Sequence, residues 1–254
     1  MGAGKDRFRA STGQRVDSEF LRLIEHNARL WAGEAEVVRS YFISPRRTRA
    51  SDLLWIERQA FKELRDGVQV FAERCRRGLD EAEMLRAELE HFRIFSALHE
   101  ALRGPADAAL DPETLRQHGD WPENAALRAL RAEHVARHGP LGERAQRFTE
   151  GGYATLFSEG AKLRGRGGAD DRIADACERV LADELEHMRS GIAGLAHEGL
   201  DAAEWRVLTE ISTAQLRARI HMRSAQFGHP LPSERIAALC AGACAPLAFR
   251  SASP

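Results

Sequence analysis

One hexapeptide occurs twice in this chain, and no other feature restricts its fold as much. Glu-Leu-Glu-His-Phe-Arg runs from Glu88 to Arg93, and Glu-Leu-Glu-His-Met-Arg from Glu184 to Arg189. Each copy contains Glu-x-x-His, and on a helix a spacing of three puts the carboxylate and the imidazole on one face, one turn apart. The surrounding composition favours helix throughout. Ala, Leu, Arg and Glu dominate, while β-branched and aromatic residues are sparse, so an all-α protein is expected. With 254 residues, 43% of them hydrophobic, the chain can bury one substantial core or two small ones. Its 37 basic and 38 acidic residues nearly cancel, which removes any global case for a nucleic-acid or membrane-surface partner. No apolar run approaches a membrane span, and the polar stretch Met1–Arg15 lacks a signal-peptide core. Cys75, Cys177, Cys240 and Cys244 show no Cys-x-x-Cys spacing, as expected of a reduced, cytoplasmic protein.

The periodicity divides the chain into helices. Residues 1–15, rich in Gly, Arg and Ser, are expected to be disordered. Residues 16–248 read as a single helical domain and residues 249–254 as a loose tail. Four core helices are expected at about 50–77, 80–103, 141–163 and 170–197, with breaks at Gly78, Gly104-Pro105, Gly139-Pro140 and the Arg164–Gly168 loop. A helix over Asp17–Phe42 precedes them, and helices near Ala203–Phe227 and from Ser233 follow. A long connection between the second and third core helices carries two shorter helical stretches, near Asp111–His118 and Glu123–His138.

Both Glu-His pairs fall in apolar stripes. Met84, Leu85, Phe92 and Phe95 lie within about 60° of Glu88 on a 3.6-residue helix, and Ile173, Cys177, Val180, Leu181, Met188 and Leu195 lie similarly near Glu184. An unpaired carboxylate there would be costly. Glu90 and Glu186 point elsewhere and read as surface residues. Two such pairs, plus a Glu from each of two further helices, make up the ligand set of a dinuclear iron or manganese site in a four-helix bundle. On the helix before Glu88, Glu57 sits amid Leu53, Ala60, Phe61, Leu64, Val68 and Phe71, whereas Glu63 and Asp66 fall off that stripe. Reflecting the first pair across its hairpin turn points nearer to position 67, but no acidic residue there is expected to face inward. On the helix before Glu184, the same reflection lands at Glu150, with Ala154 and Phe157 on its face. Glu159 competes with it, because Phe148, Gly152, Thr155, Leu156 and Leu163 share its side.

With Glu57, Glu88-x-x-His91, Glu150 and Glu184-x-x-His187 in place, residues 50–197 resemble the ferritin-like di-iron carboxylate proteins. These include ribonucleotide reductase small subunits, multicomponent monooxygenases, rubrerythrins and a tRNA hydroxylase. The resemblance implies a ferritin-like four-helix bundle with a long crossover between core helices 2 and 3 and extra helices at both ends. It implies two Fe ions, or a Mn/Fe pair, with Glu57, Glu88 and His91 on one metal and Glu150, Glu184 and His187 on the other. Glu88 and Glu184 would bridge. Hard oxygen and borderline nitrogen donors suit these metals. In the family the residue before the last Glu often supports the His of the opposite pair; here that is Asp183, facing His91. Tyr153, one turn from Glu150, would pack near the site. The competing reading of the repeat is two solvated Glu/His/Arg faces on an ordinary bundle.

Departures from the family narrow the expected activity. Phe95 stands where a reductase subunit has a radical-bearing Tyr. Tyr153 replaces the extra Glu of a rubrerythrin, and Val180 the extra His of an arylamine oxygenase. What remains is an oxygenase or oxidase using dioxygen as co-substrate to hydroxylate or oxidise an organic substrate. Without a flavin, NAD or iron–sulfur motif, its electrons would come from an external reductase or ferredoxin. The alternative is a non-catalytic ferritin-like protein that binds or handles iron. The tRNA hydroxylase is similar in size and plan, but Phe148-Thr149-Glu150-Gly151-Gly152 departs from its pattern. Basic segments at Arg46, Arg47 and Arg49 and at Arg217, Arg219, His221 and Arg223 lack aromatic interleaving. A small-molecule substrate is therefore expected over tRNA. Oligomeric state is left open, a dimer being compatible with the pattern.

Overall fold

The computed structural model describes the backbone of residues 18–77, 82–150, 153–195 and 199–246, and side chains for these except 66, 68–77, 82–87, 150, 153 and 186–194. The expected disordered N-terminus and tail fall outside the described residues. Within them the protein is all-helical: α1 (Ser18–Phe42), α2 (Arg49–Arg77), α3 (Ala82–Leu102), α4 (Pro112–His118), α5 (Pro122–His138), α6 (Pro140–Glu150), α7 (Tyr153–Ala161), α8 (Gly168–Leu195), α9 (Ala202–Gln226) and α10 (Ser233–Cys240). No described helix is long and apolar enough to cross a membrane.

Local chemistry sets the boundaries. Thr48 and Ser51 exchange backbone-to-hydroxyl hydrogen bonds at the start of α2. The Asp111 carboxylate accepts from Thr114 N, with Pro112 in the first turn of α4. Asp201 and Glu204 form a reciprocal capping box on α9. Each such contact satisfies N–H groups that the first helical turn leaves open. Gly139, at φ 54°, ends α5 in a conformation that an L side chain resists, and Pro140 opens the next helix. The expected helix over 141–163 is described in two stretches, α6 and α7, and residues 151 and 152 between them lie outside the described residues.

α2 packs along α3, α7 along α8, and α3 against α8, so the two Glu-x-x-His segments lie on neighbouring helices. α1 and α9 pack on each other; α1 also meets α7, and α9 meets α5 and α6. The connection from α3 to α6 carries α4, which rests on α2, and α5. One apolar cluster joins Trp55, Ile56, Phe61, Phe95, Phe157, Cys177, Val180 and Phe227; a second joins Phe20, Trp31, Phe148, Trp205 and Leu208. Phe95 and Phe157 stack at 6.0 Å between centroids, and Trp55 meets Phe95 edge-on at 6.3 Å. Phe95 lies one turn along α3 from His91.

Polar residues share this interior. Glu34 of α1 binds Arg219 and Arg223 of α9, with Nη2–Oε1 distances of 2.8 and 3.0 Å. Arg219 and Arg223 are 0% exposed, and Glu34 1%. Burial alone would push the Glu34 carboxyl up, but two guanidiniums hold it below its ordinary value.

Candidate metal centre

On α2 the inward face runs through Asp52, Ile56, Gln59, Glu63 and Gly67, all buried. That spacing is helical, yet three of its five members are polar, and Glu63 is one of them. α3 brings Glu88 and His91 to the same place. Oxygens of Glu63 and Glu88 and a ring nitrogen of His91 all lie within 4.8 Å of one another, an arrangement that could hold a metal ion. From α8, Glu184 Oε1 approaches His91 Nδ1 at 3.8 Å, and Asp183 Oδ2 lies 3.3 Å from His91 Nε2. Glu184 is only partly buried, and Asp183 is exposed.

The imidazole of His91 is wholly buried. Its Nδ1 has no hydrogen-bond partner among the described residues; Glu63 Oε2 is 3.6 Å away, beyond hydrogen-bonding distance. Burial disfavours the charged imidazole, but the carboxylates of Glu63, Glu184 and Asp183 outweigh it and raise its pKa to about 9. Glu63 shows the converse balance. Desolvation would raise its pKa, yet His91, Lys62 and a hydrogen bond from Gln59 bring it below the ordinary carboxylate value. The cluster thus pairs anionic oxygens with one buried nitrogen whose outward N–H faces a carboxylate. When a metal ion displaces the Nδ1 proton, Nε2–H stays on Asp183 and the freed Nδ1 lone pair faces the space between Glu63 and Glu184. This donor set could hold a divalent metal ion.

Several sequence expectations change at this point. Glu57 is not part of the cluster; Glu63 takes the α2 position. The two residues stand about 9 Å apart along the axis and about 120° apart around it. Glu57 is half-buried, burial raises its pKa, and Arg58 beside it opposes that. The apolar stripe counted only apolar neighbours, whereas the inward face of α2 also contains Asp52, Gln59 and Glu63. Reflection across the hairpin carried the better signal, since 63 is closer than 57 to the indicated position of 67. Glu159, the competitor of Glu150, is also engaged elsewhere. It is buried and bound by Arg39 Nε at 3.2 Å and Lys162 Nζ at 2.6 Å. The side chains of Glu150, Tyr153 and His187 lie outside the described residues. Glu88, His91, Glu184 and Asp183 are brought together as set out above.

Several cations of the basic segments are paired within the protein. Arg47 pairs with Asp52 and Asp170 at 2.8 and 2.7 Å, Arg49 with Asp107, and Arg219 and Arg223 are the buried partners of Glu34. Comparison with protein-family models, with curated proteins and with solved structures finds no match to this chain.

Proposed function

We propose that this protein is a non-haem di-iron, or Mn/Fe, oxygenase or oxidase built on a ferritin-like bundle. In this reading α2, α3, α6–α7 and α8 are the four core helices, and the segment bearing α4 and α5 is the crossover. The observation that carries it is the Glu63–Glu88–His91 cluster, with the Nδ1 of a fully buried His91 lacking any hydrogen-bond partner among the described residues. An imidazole nitrogen left so among carboxylates is stabilised when a cation takes the position between them. Glu63, Glu88 and His91 would hold one ion, with Glu184 within reach of it. Glu150, Glu184 and His187 would hold the other, a half that rests on the repeated motif alone.

When bound, a metal pair of this kind supplies two-electron reduction of dioxygen for hydroxylation or oxidation of an organic substrate. The side chains prepare for it. Glu63 and Glu88 offset the charge of the ions, and Asp183 accepts from His91 Nε2–H and so fixes the tautomer that presents Nδ1. Electrons would come from an external reductase or ferredoxin, and the substrate would be a small organic molecule. Cys177, Cys240 and Cys244 are free thiols, which suits a reducing cytoplasm.

Anaerobic reconstitution with Fe(II), followed by metal analysis, tests the site. Wild type should retain two metals per chain; Glu63→Ala and His91→Ala should lose metal, and Glu57→Ala should not. Reductant-driven dioxygen consumption without iron uptake beyond that stoichiometry supports an oxygenase. Continued iron accumulation would instead make it an iron-handling protein. A wild type binding only background metal would end the proposal.

A further inference from the structure

Glu63 is held by a line of buried side chains that begins on α9, outside the helices bearing the Glu-x-x-His motifs. Arg223 Nη1 donates to Gln226 Oε1. Gln226 Nε2 donates to Gln59 Oε1 at 3.0 Å, across 167 residues of sequence. Gln59 Nε2 donates to Glu63 Oε1, one turn along α2. Arg223, Gln226 and Gln59 are all 0% exposed, and Glu63 is 4% exposed.

The ends of this line fix its direction. A guanidinium can only donate, and an ionised carboxylate can only accept. Each amide between them must therefore turn its oxygen toward Arg223 and its NH2 toward Glu63. Either amide flipped alone would set oxygen against oxygen or NH2 against NH2 inside a dry core. The aligned dipoles polarise one another, so each bond strengthens the next. At the far end the line occupies Glu63 Oε1, and Oε2 is the oxygen that faces His91 Nδ1 at 3.6 Å.

We propose that Gln59 and Gln226 are positioning residues of the metal centre: anchored by Arg223, they clamp Glu63 Oε1 and present Oε2 to the metal beside His91. The proposal rests on the metal-centre reading above. It makes α9, which contributes no expected ligand, a working part of the site.

Co(II) titration of the purified full chain, followed by visible absorption, is the test. The decisive variant is Gln226→Glu, which matches Gln226 in size and keeps an acceptor for Arg223, but has no N–H to give Gln59. If Gln226 served only to fill space and pair with Arg223, this change would be benign or favourable. As a positioning residue its loss should weaken Co(II) binding about 10- to 100-fold and shift the d–d bands. Gln59→Leu should do the same by removing the donor to Glu63 directly, and it is the reporter should Gln226→Glu lack wild-type helicity by circular dichroism. Folded variants of both kinds with wild-type affinity and spectrum would overturn the proposal while leaving the metal centre standing. Absence of Co(II) binding by wild type itself would overturn the metal-centre reading, and the positioning role with it.

Discussion

Replacing Glu34 by Ala should be among the most damaging single changes available in this protein. The carboxylate serves two guanidiniums, accepting from Arg219 at 2.8 and 3.2 Å and from Arg223 Nε at 3.0 Å, and both arginines are 0% exposed. Its removal leaves two like charges in the interior without their shared counter-ion. Breaking one buried pair typically costs about 3–5 kcal/mol, so loss of a carboxylate shared by two buried guanidiniums should lie near the upper figure. A domain is held by about 5–15 kcal/mol in total, so Glu34→Ala should populate unfolded chains at 25 °C. Arg219→Met should cost less, because Arg223 and Glu34 remain as a balanced pair. Glu34→Leu with Arg219→Met and Arg223→Met should recover much of the loss, since apolar residues of similar volume remove the desolvation penalty. Urea denaturation of metal-free protein at pH 7, followed by circular dichroism, measures each difference. A loss under about 1 kcal/mol for Glu34→Ala, with unchanged slope, would refute the claim that the carboxylate neutralises buried charge.

Three further outcomes follow from described geometry. A methyl group at Gly160 would overlap Cys177 Sγ and stand 3.1 Å from its Cβ, so Gly160→Ala should destabilise by about 1–3 kcal/mol, and Cys177→Ala should relieve it in a double-mutant cycle. Additive losses would show that α7 and α8 do not press together there. The lowered pKa of Glu34 contributes stability that is fully present above the ordinary value of 4.5 and lost as pH falls through the lower folded value. Acid titration of stability below pH ~4.5 should therefore be steeper in wild type than in Glu34→Gln, and equal slopes would contradict it. Asp201→Ala should remove about 1 kcal/mol by opening the capping box of α9, which thermal denaturation would detect.

The all-helical class was legible because the apolar period and the punctuation by Gly and Pro agree along nearly the whole chain. Gly104-Pro105 ends α3, Gly139-Pro140 separates α5 from α6, and Asp201 with Glu204 opens α9. Glu88 and His91 were legible for a related reason, since a fixed spacing of three settles their shared face without knowledge of any neighbour. Glu63 was not. Its inward position depends on Gln59 below it and on Gln226 of α9, and a pattern that scores polar residues as solvent-facing discards the polar side chains that answer one another. The same bias gave no sign that Arg219 and Arg223 are buried, although Glu34 neutralises them at a distance of 185 and 189 residues.

The pairing of α1 with α9 also governs the order in which the chain can be completed as it is made. At about 5–20 residues per second, the codons between Glu34 and Arg219 take on the order of ten to forty seconds to translate. Through that interval the nascent chain carries a carboxylate on the inner face of its first helix with neither cation to meet it. Burial of that face before the ninth helix emerges would strand the charge or require the carboxyl to take up a proton, a cost that disfavours docking of the first helix until Arg219 and Arg223 have been made.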